Sequence, residues 1–139
     1  MEMKESIKKR RIGVIFTLLS LCSMVLIFEY CKIEQRDSAI IAIEIIPIII
    51  FIVSFILTFI KTGLWGFIHQ PLKKLDEREI ALTSKSLRYA YGIFTVVTLI
   101  LLLSLAITYT QIDVVLVASL ILFAHILPAS YIAWTEKDI

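Results

Sequence analysis

The chain has 139 residues, 59% hydrophobic and 19% charged, against roughly 45–50% and 25% in soluble domains. A net charge of +2 is too small to point to a nucleic-acid partner. Four apolar stretches, at residues 12–28, 39–60, 89–109 and 114–134, use up most of the length and leave no room for a separate soluble catalytic domain. The last three are each roughly 31–33 Å long as helices, close to a bilayer's hydrocarbon thickness. The first gives about 25 Å, and its flanks supply the rest.

The first stretch follows a basic run, Lys8 to Arg11, that mimics the start of a signal peptide. Its apolar run is longer than a usual signal core, and the following Phe28-Glu29-Tyr30-Cys31 is too bulky for a cleavage site. It reads as a retained anchor, spanning 12–29. Cys22 and Cys31 lie nine helical residues apart, about 13 Å, too far to bridge. Residues 30–38 form a short turn in which Asp37 or Ser38 is placed to cap the second helix, 39–60.

The central segment, 61–88, is interrupted early by Gly63, Gly66 and Pro71. Its Leu64, Trp65, Phe67 and Ile68 are apolar enough to lie among lipid headgroups. Then Asp76 and Glu79 stand at capping-box spacing, with Leu75 and Ile80 at the hydrophobic-staple positions. A helix is therefore expected to start at Glu77, about twelve residues before the apolar stretch 89–109, and to project about 18 Å from the membrane. Residues 110–113 make a tight turn, and Asp113 is placed to cap the fourth helix, 114–134. The expected fold class is all-α, an integral membrane four-helix bundle forming one domain, 1–139, with helix 3 extended into the cytoplasm.

Basic residues set the orientation. The N-terminal tail, the central segment and the C-terminal tail hold twelve Lys and Arg, and the two other connections hold two. Cytoplasmic loops accumulate Lys and Arg, so both termini and the central segment are expected inside. Tyr30 and Tyr109 fall at the outer boundary, and Trp65, Tyr89, Tyr91, Tyr131 and Trp134 at the inner one, as an aromatic belt requires. The expected setting is a cell (inner or plasma) membrane whose anionic inner leaflet faces the basic residues.

The segment Leu75-Asp76-Glu77-Arg78, leading through an amphipathic stretch into a transmembrane helix, resembles a motif of small uncharacterised bacterial four-helix membrane proteins. The resemblance covers the central segment and the third helix. It implies architecture and a bacterial origin, and it carries no activity.

Two ionisable residues lie within the apolar stretches, where each is a functional hypothesis. Glu44 is six residues into the second stretch and His125 sits in the inner third of the fourth. Each precedes a proline by three, Pro47 and Pro128. Glu44 either reaches water near the outer interface, bonds a neighbouring helix, or binds protons in a cavity. His125 is expected to bond a neighbouring helix. On the projecting helix, Ile80, Ser84, Leu87 and Tyr91 recur at helical spacing as an apolar stripe, beside a basic stripe of Arg78, Lys85 and Arg88. Either these pack on the chain's own loop and on lipid phosphates, or they dock a partner.

The sequence contains no Gly-rich phosphate loop, Gly-x-Ser-x-Gly, Cys-x-x-Cys or His-Glu-x-x-His. Asp76, Glu77 and Glu79 fit a helix cap better than a cation site, with Arg78 in their midst. No enzyme, cofactor or metal is expected. The leading expectation is an accessory, regulatory or immunity-type binding protein working through 61–88, with a protein partner there and the chain itself able to form a homo-oligomer. The alternative is a small oligomeric transporter or channel using Glu44. In outline the chain resembles the small multidrug-resistance transporters, but their carboxylate lies in the first helix, where this chain has none, and its central segment is longer.

Overall fold

In a computed structural model, the backbone is described for residues 2–33 and 37–136, and the side chains for the same residues except 2–6, 32–33, 37–41 and 72. The expected caps Asp37 and Ser38 thus lie outside the described side chains, as does Lys137. Five α-helices follow in order: α1 Glu2–Ile33, α2 Asp37–Phe55, α3 Leu64–Ile68, α4 Glu77–Ile107 and α5 Val114–Thr135. A π-helical turn, Ile56–Ile60, extends α2, and a 3-10 turn, Leu72–Lys74, precedes α4. The described residues contain no strand. The all-α reading holds, and four segments are long and apolar enough to cross a membrane: Ile7–Cys31, Ala42–Ile60, Glu77–Ile107 and Val114–Thr135. That is the architecture of a multi-pass membrane protein. The chain divides into two compact units, Met1–Thr62 and Gly63–Ile139.

In the first unit, α1 is longer at both ends than the apolar stretch inside it. Lys, Arg, Glu and Met are good helix formers, and no proline lies between Glu2 and Ile33, so nothing stops the helix at the edge of the apolar run. Tyr30 and Cys31 are consequently helical rather than part of a turn, and Cys31 is buried. α2 runs through Pro47 without interruption. α1 and α2 pack antiparallel, with Gly13 beside Thr58 and Thr17 beside Ser54.

The contact is polar and close. Thr17 is wholly buried, and its hydroxyl lies 3.0 Å from Ser54 Oγ and 2.9 Å from the Gly13 carbonyl, to which it donates. Ser20 donates to the Thr17 carbonyl at 2.9 Å. A Cβ on Gly13 would sit 1.9 Å from Thr58 Oγ1, so the hydrogen side chain is what admits the second helix. In lipid, where no hydrophobic force drives helices together, such small-residue contacts and interhelical hydrogen bonds are what hold a pair.

The second unit opens at Gly63, whose φ of +75° places it in the left-handed region and turns the chain into α3. α3 packs against α5. The start of α4 is the expected capping box: the Glu79 N–H donates to Asp76 Oδ1 at 2.7 Å, and the Asp76 N–H donates to Glu79 Oε2 at 3.0 Å. Leu75 is buried, while Ile80 is 38% exposed. α4 ends in a Schellman arrangement, the Tyr109 N–H donating to Ala106 and the Thr110 N–H to Leu105. Tyr109 takes the left-handed position (φ 54°) that glycine usually fills. Asp113 then caps α5, its Oδ1 accepting from the Leu116 N–H at 2.9 Å. Two aromatic pairs join α4 to α5 along their length, Tyr89 with Tyr131 (centroids 4.8 Å, planes 12° apart) and Phe94 with Phe123 (6.3 Å).

Candidate functional site

The capping box fixes where α4 begins, and with no proline up to Ile107 the helix runs 31 residues, about 46 Å. A hydrocarbon core of about 30 Å takes roughly 20 of these. The first eleven or so residues therefore extend beyond the span, carrying the apolar and basic stripes with them.

Ile80 and Leu87 on this extension, and Tyr91 one turn further on, are 38%, 50% and 73% exposed. They line a shallow groove of about 500 Å³ together with Thr83, Ser84 and Arg88. Part of each of these side chains is left uncovered by the rest of the chain. Thr83, at the groove's floor, is buried, and its Oγ1 has no hydrogen-bond partner. A buried hydroxyl left unpaired costs about 1–3 kcal/mol, and this oxygen is closed off from the groove. Its neighbour Ser86, fully buried, is already satisfied by the Thr83 carbonyl at 2.8 Å. Lys85 and Arg88 line an adjoining hollow with Ala81, Ser84 and Tyr89. Arg78, two turns before Lys85 on the same side of α4, also reaches Glu136, at the C-cap of α5, with 3.8 Å between Nη2 and Oε2.

The two intramembrane residues are placed differently. Glu44 is half-buried on α2 and lines none of the described cavities. His125 is exposed, and its Nδ1–H donates to the carbonyl of Ile121 on its own helix at 2.9 Å rather than to a neighbouring helix. Four-residue back-bonding of this kind needs no partner element. Instead the ring meets His69, with centroids 6.4 Å apart and planes 3° apart. His69 also donates from Nδ1 to its own helix, to Trp65 O at 2.8 Å, and its ring lies 4.4 Å from the Trp65 indole. Sequence reasoning left His69 aside because it lies outside every apolar stretch; the packing of α3 on α5 brings it to His125. Among the described residues no group of three or more His, Cys, Asp or Glu comes together as a metal site.

Sequence reasoning also passed over Gly13 and Thr17. They form a small-xxx-small pair, Gly13-Val14-Ile15-Phe16-Thr17, the spacing that lets membrane helices approach. No family model matches the chain, and no characterised protein or solved structure matches it either.

Proposed function

We propose that this chain is a bacterial cell-membrane protein with both termini in the cytoplasm. It acts without catalysis, as an accessory, regulatory or immunity-type protein that docks a protein partner on the cytoplasmic end of α4. The twelve-to-two division of basic residues supports the orientation. The observation that carries the docking is the groove on α4, where exposed Ile80, Leu87 and Tyr91 stand beside Arg88. The occupant this chemistry fits is a protein segment with an apolar ridge and acidic flanks facing Lys85 and Arg88. Such a segment supplies what the groove lacks at each point, and its apolar contacts contribute most of the affinity because exposed charge pairs contribute little.

The test is a photo-crosslinking amino acid at Ser84, in native membranes. A discrete protein adduct is expected. Ile80→Asp with Leu87→Asp abolishes it at unchanged expression and insertion, whereas Lys85→Ala with Arg88→Ala weakens it less, and mostly at low salt. Crosslinks only to lipid, or only to a second copy of the chain, refute the proposal.

A further inference from the structure

The first hairpin carries a groove of its own, and its chemistry differs from one end to the other. The groove, of about 1060 Å³, lies between α1 and the α2–π helix. Gly13, Ser54 and Thr58 are the small residues along it, and the larger Ile12, Phe16, Ile49, Val53 and Leu57 stand beside them, each 41–54% exposed. The trough is the counterpart of the close approach at Gly13: where side chains are smallest, the space between the flanking apolar residues is deepest. Because the helices are antiparallel, Lys9 and Arg10 lie at the same end as Thr62. The opposite end, around Ile49 and Ile50, is wholly apolar. From Ile49 to Thr62 the groove extends about 20 Å, a little more than one leaflet of a hydrocarbon core about 30 Å thick.

We infer that this groove holds one anionic phospholipid. Its acyl chains lie along Phe16, Val53 and Leu57, and its phosphate meets the exposed Lys9, with the buried Arg10 adding positive charge behind it. The shape fits that occupant because a lipid is apolar over one leaflet's depth and negative only at its end. The charge fits because the Lys9 ammonium at a headgroup level, backed by the buried Arg10, attracts phosphate oxygens. This site is independent of the α4 groove, sharing no residue with it.

The experiment uses the full chain purified in detergent, with phosphatidylglycerol or phosphatidylcholine of identical acyl chains added, and bound lipid read by native mass spectrometry. One phosphatidylglycerol is expected to be retained at a detergent concentration that strips phosphatidylcholine, with an occupancy ratio of about tenfold, equivalent to 1.4 kcal/mol. Lys9→Gln should cut that ratio severalfold, and Val53→Trp, which fills the trough, should remove the bound lipid of either kind. Lys85→Gln with Arg88→Gln should leave it intact. Helicity and monodispersity of each variant are checked alongside, and Lys9→Gln carries the charge test because Lys9 is exposed. Equal retention of the two lipids, retention in Val53→Trp, or loss in the Lys85/Arg88 variant would each overturn the assignment. So would a disulfide-linked dimer formed through Leu57→Cys in a Cys22→Ser, Cys31→Ser background, since it would put a second copy in the groove.

Discussion

The two hairpins solve one problem by opposite means. α1 and α2 meet through small and polar groups: Gly13 against Thr58, and Thr17 bonded to Ser54. α4 and α5 meet through stacked rings, Tyr89 on Tyr131 and Phe94 near Phe123, with an aspartate capping the start of each helix. The first contact depends on what is missing, a side chain at Gly13; the second depends on what is present. A close contact of the first kind tolerates almost no added volume, whereas ring stacking can lose a pair and keep the rest. The difference also explains where the grooves fall. Small residues at a helix contact leave a trough beside it, and a long capped helix leaves a face that its partner covers only in part.

The sharpest way to break the comparison is Gly13→Ala. The new Cβ would sit 1.9 Å from Thr58 Oγ1, so the helices must separate, at a cost of about 2–3 kcal/mol. Thermal unfolding in detergent measures it. Adding Thr58→Ala should restore part of the loss, because the two sites share one contact. The same Gly-to-Ala change at Gly92, where an added Cβ meets nothing within 4 Å, should be neutral or slightly stabilising in a helix interior.

Asp76→Ala tests the other hairpin. It removes the acceptor for the Glu79 N–H and should cost about 1 kcal/mol. The loss should be local, seen as faster amide exchange at residues 77–84 while the Tyr89–Tyr131 region stays protected. Exchange rising uniformly along α4 would show instead that the cap and the span unfold together. Smallest of all is Thr17→Val, which keeps the shape and removes the hydroxyl bridging to Ser54. Interhelical hydrogen bonds in membranes average about 0.6 kcal/mol, so the change should lower stability by about that amount, well below Gly13→Ala. A larger drop would mean that the bond, rather than the close approach, holds the first hairpin.

Much of this was legible beforehand. Apolar length and proline placement are local properties, and they located all four long helices; Asp76, Glu79 and Asp113 are read within three residues of what they cap. The ends of α1 were not legible, because a hydropathy boundary marks where a span ends and says nothing about where good helix formers stop. His69 was invisible for a different reason. Its meeting with His125 depends on α3 folding back on α5, a contact between residues 56 positions apart in the chain. The exposure of Ile80 and Leu87 was likewise open, since periodicity places residues on one face without saying what covers that face. Gly13 and Thr17 were readable and were overlooked: their spacing is a recognised close-packing signal, hidden here inside a run of large apolar residues.

The π turn at Ile56–Ile60 has a consequence for phase. A four-residue step along an α-helix advances each side chain by about 40° beyond a full turn, so three such steps from Ile50 through Ser54 and Thr58 to Thr62 would drift by about 120°. Thr62 would then face elsewhere. The bond from the Lys61 N–H to the Ile56 carbonyl encloses one residue more than an α turn, which takes up about 100° of that rotation. The turn works as a vernier, returning Thr62 to the line of Ser54 and Thr58 so that all three border the same groove. The hydroxyl of Thr62 donates back to the Thr58 carbonyl, pairing a backbone acceptor at the point where the rhythm changes. Deleting one residue between 56 and 60 would let the segment close into a regular α-helix: the eleven remaining steps from Ile50 turn about 1100°, as the wide turn does now, and Thr62 would keep its place beside the groove.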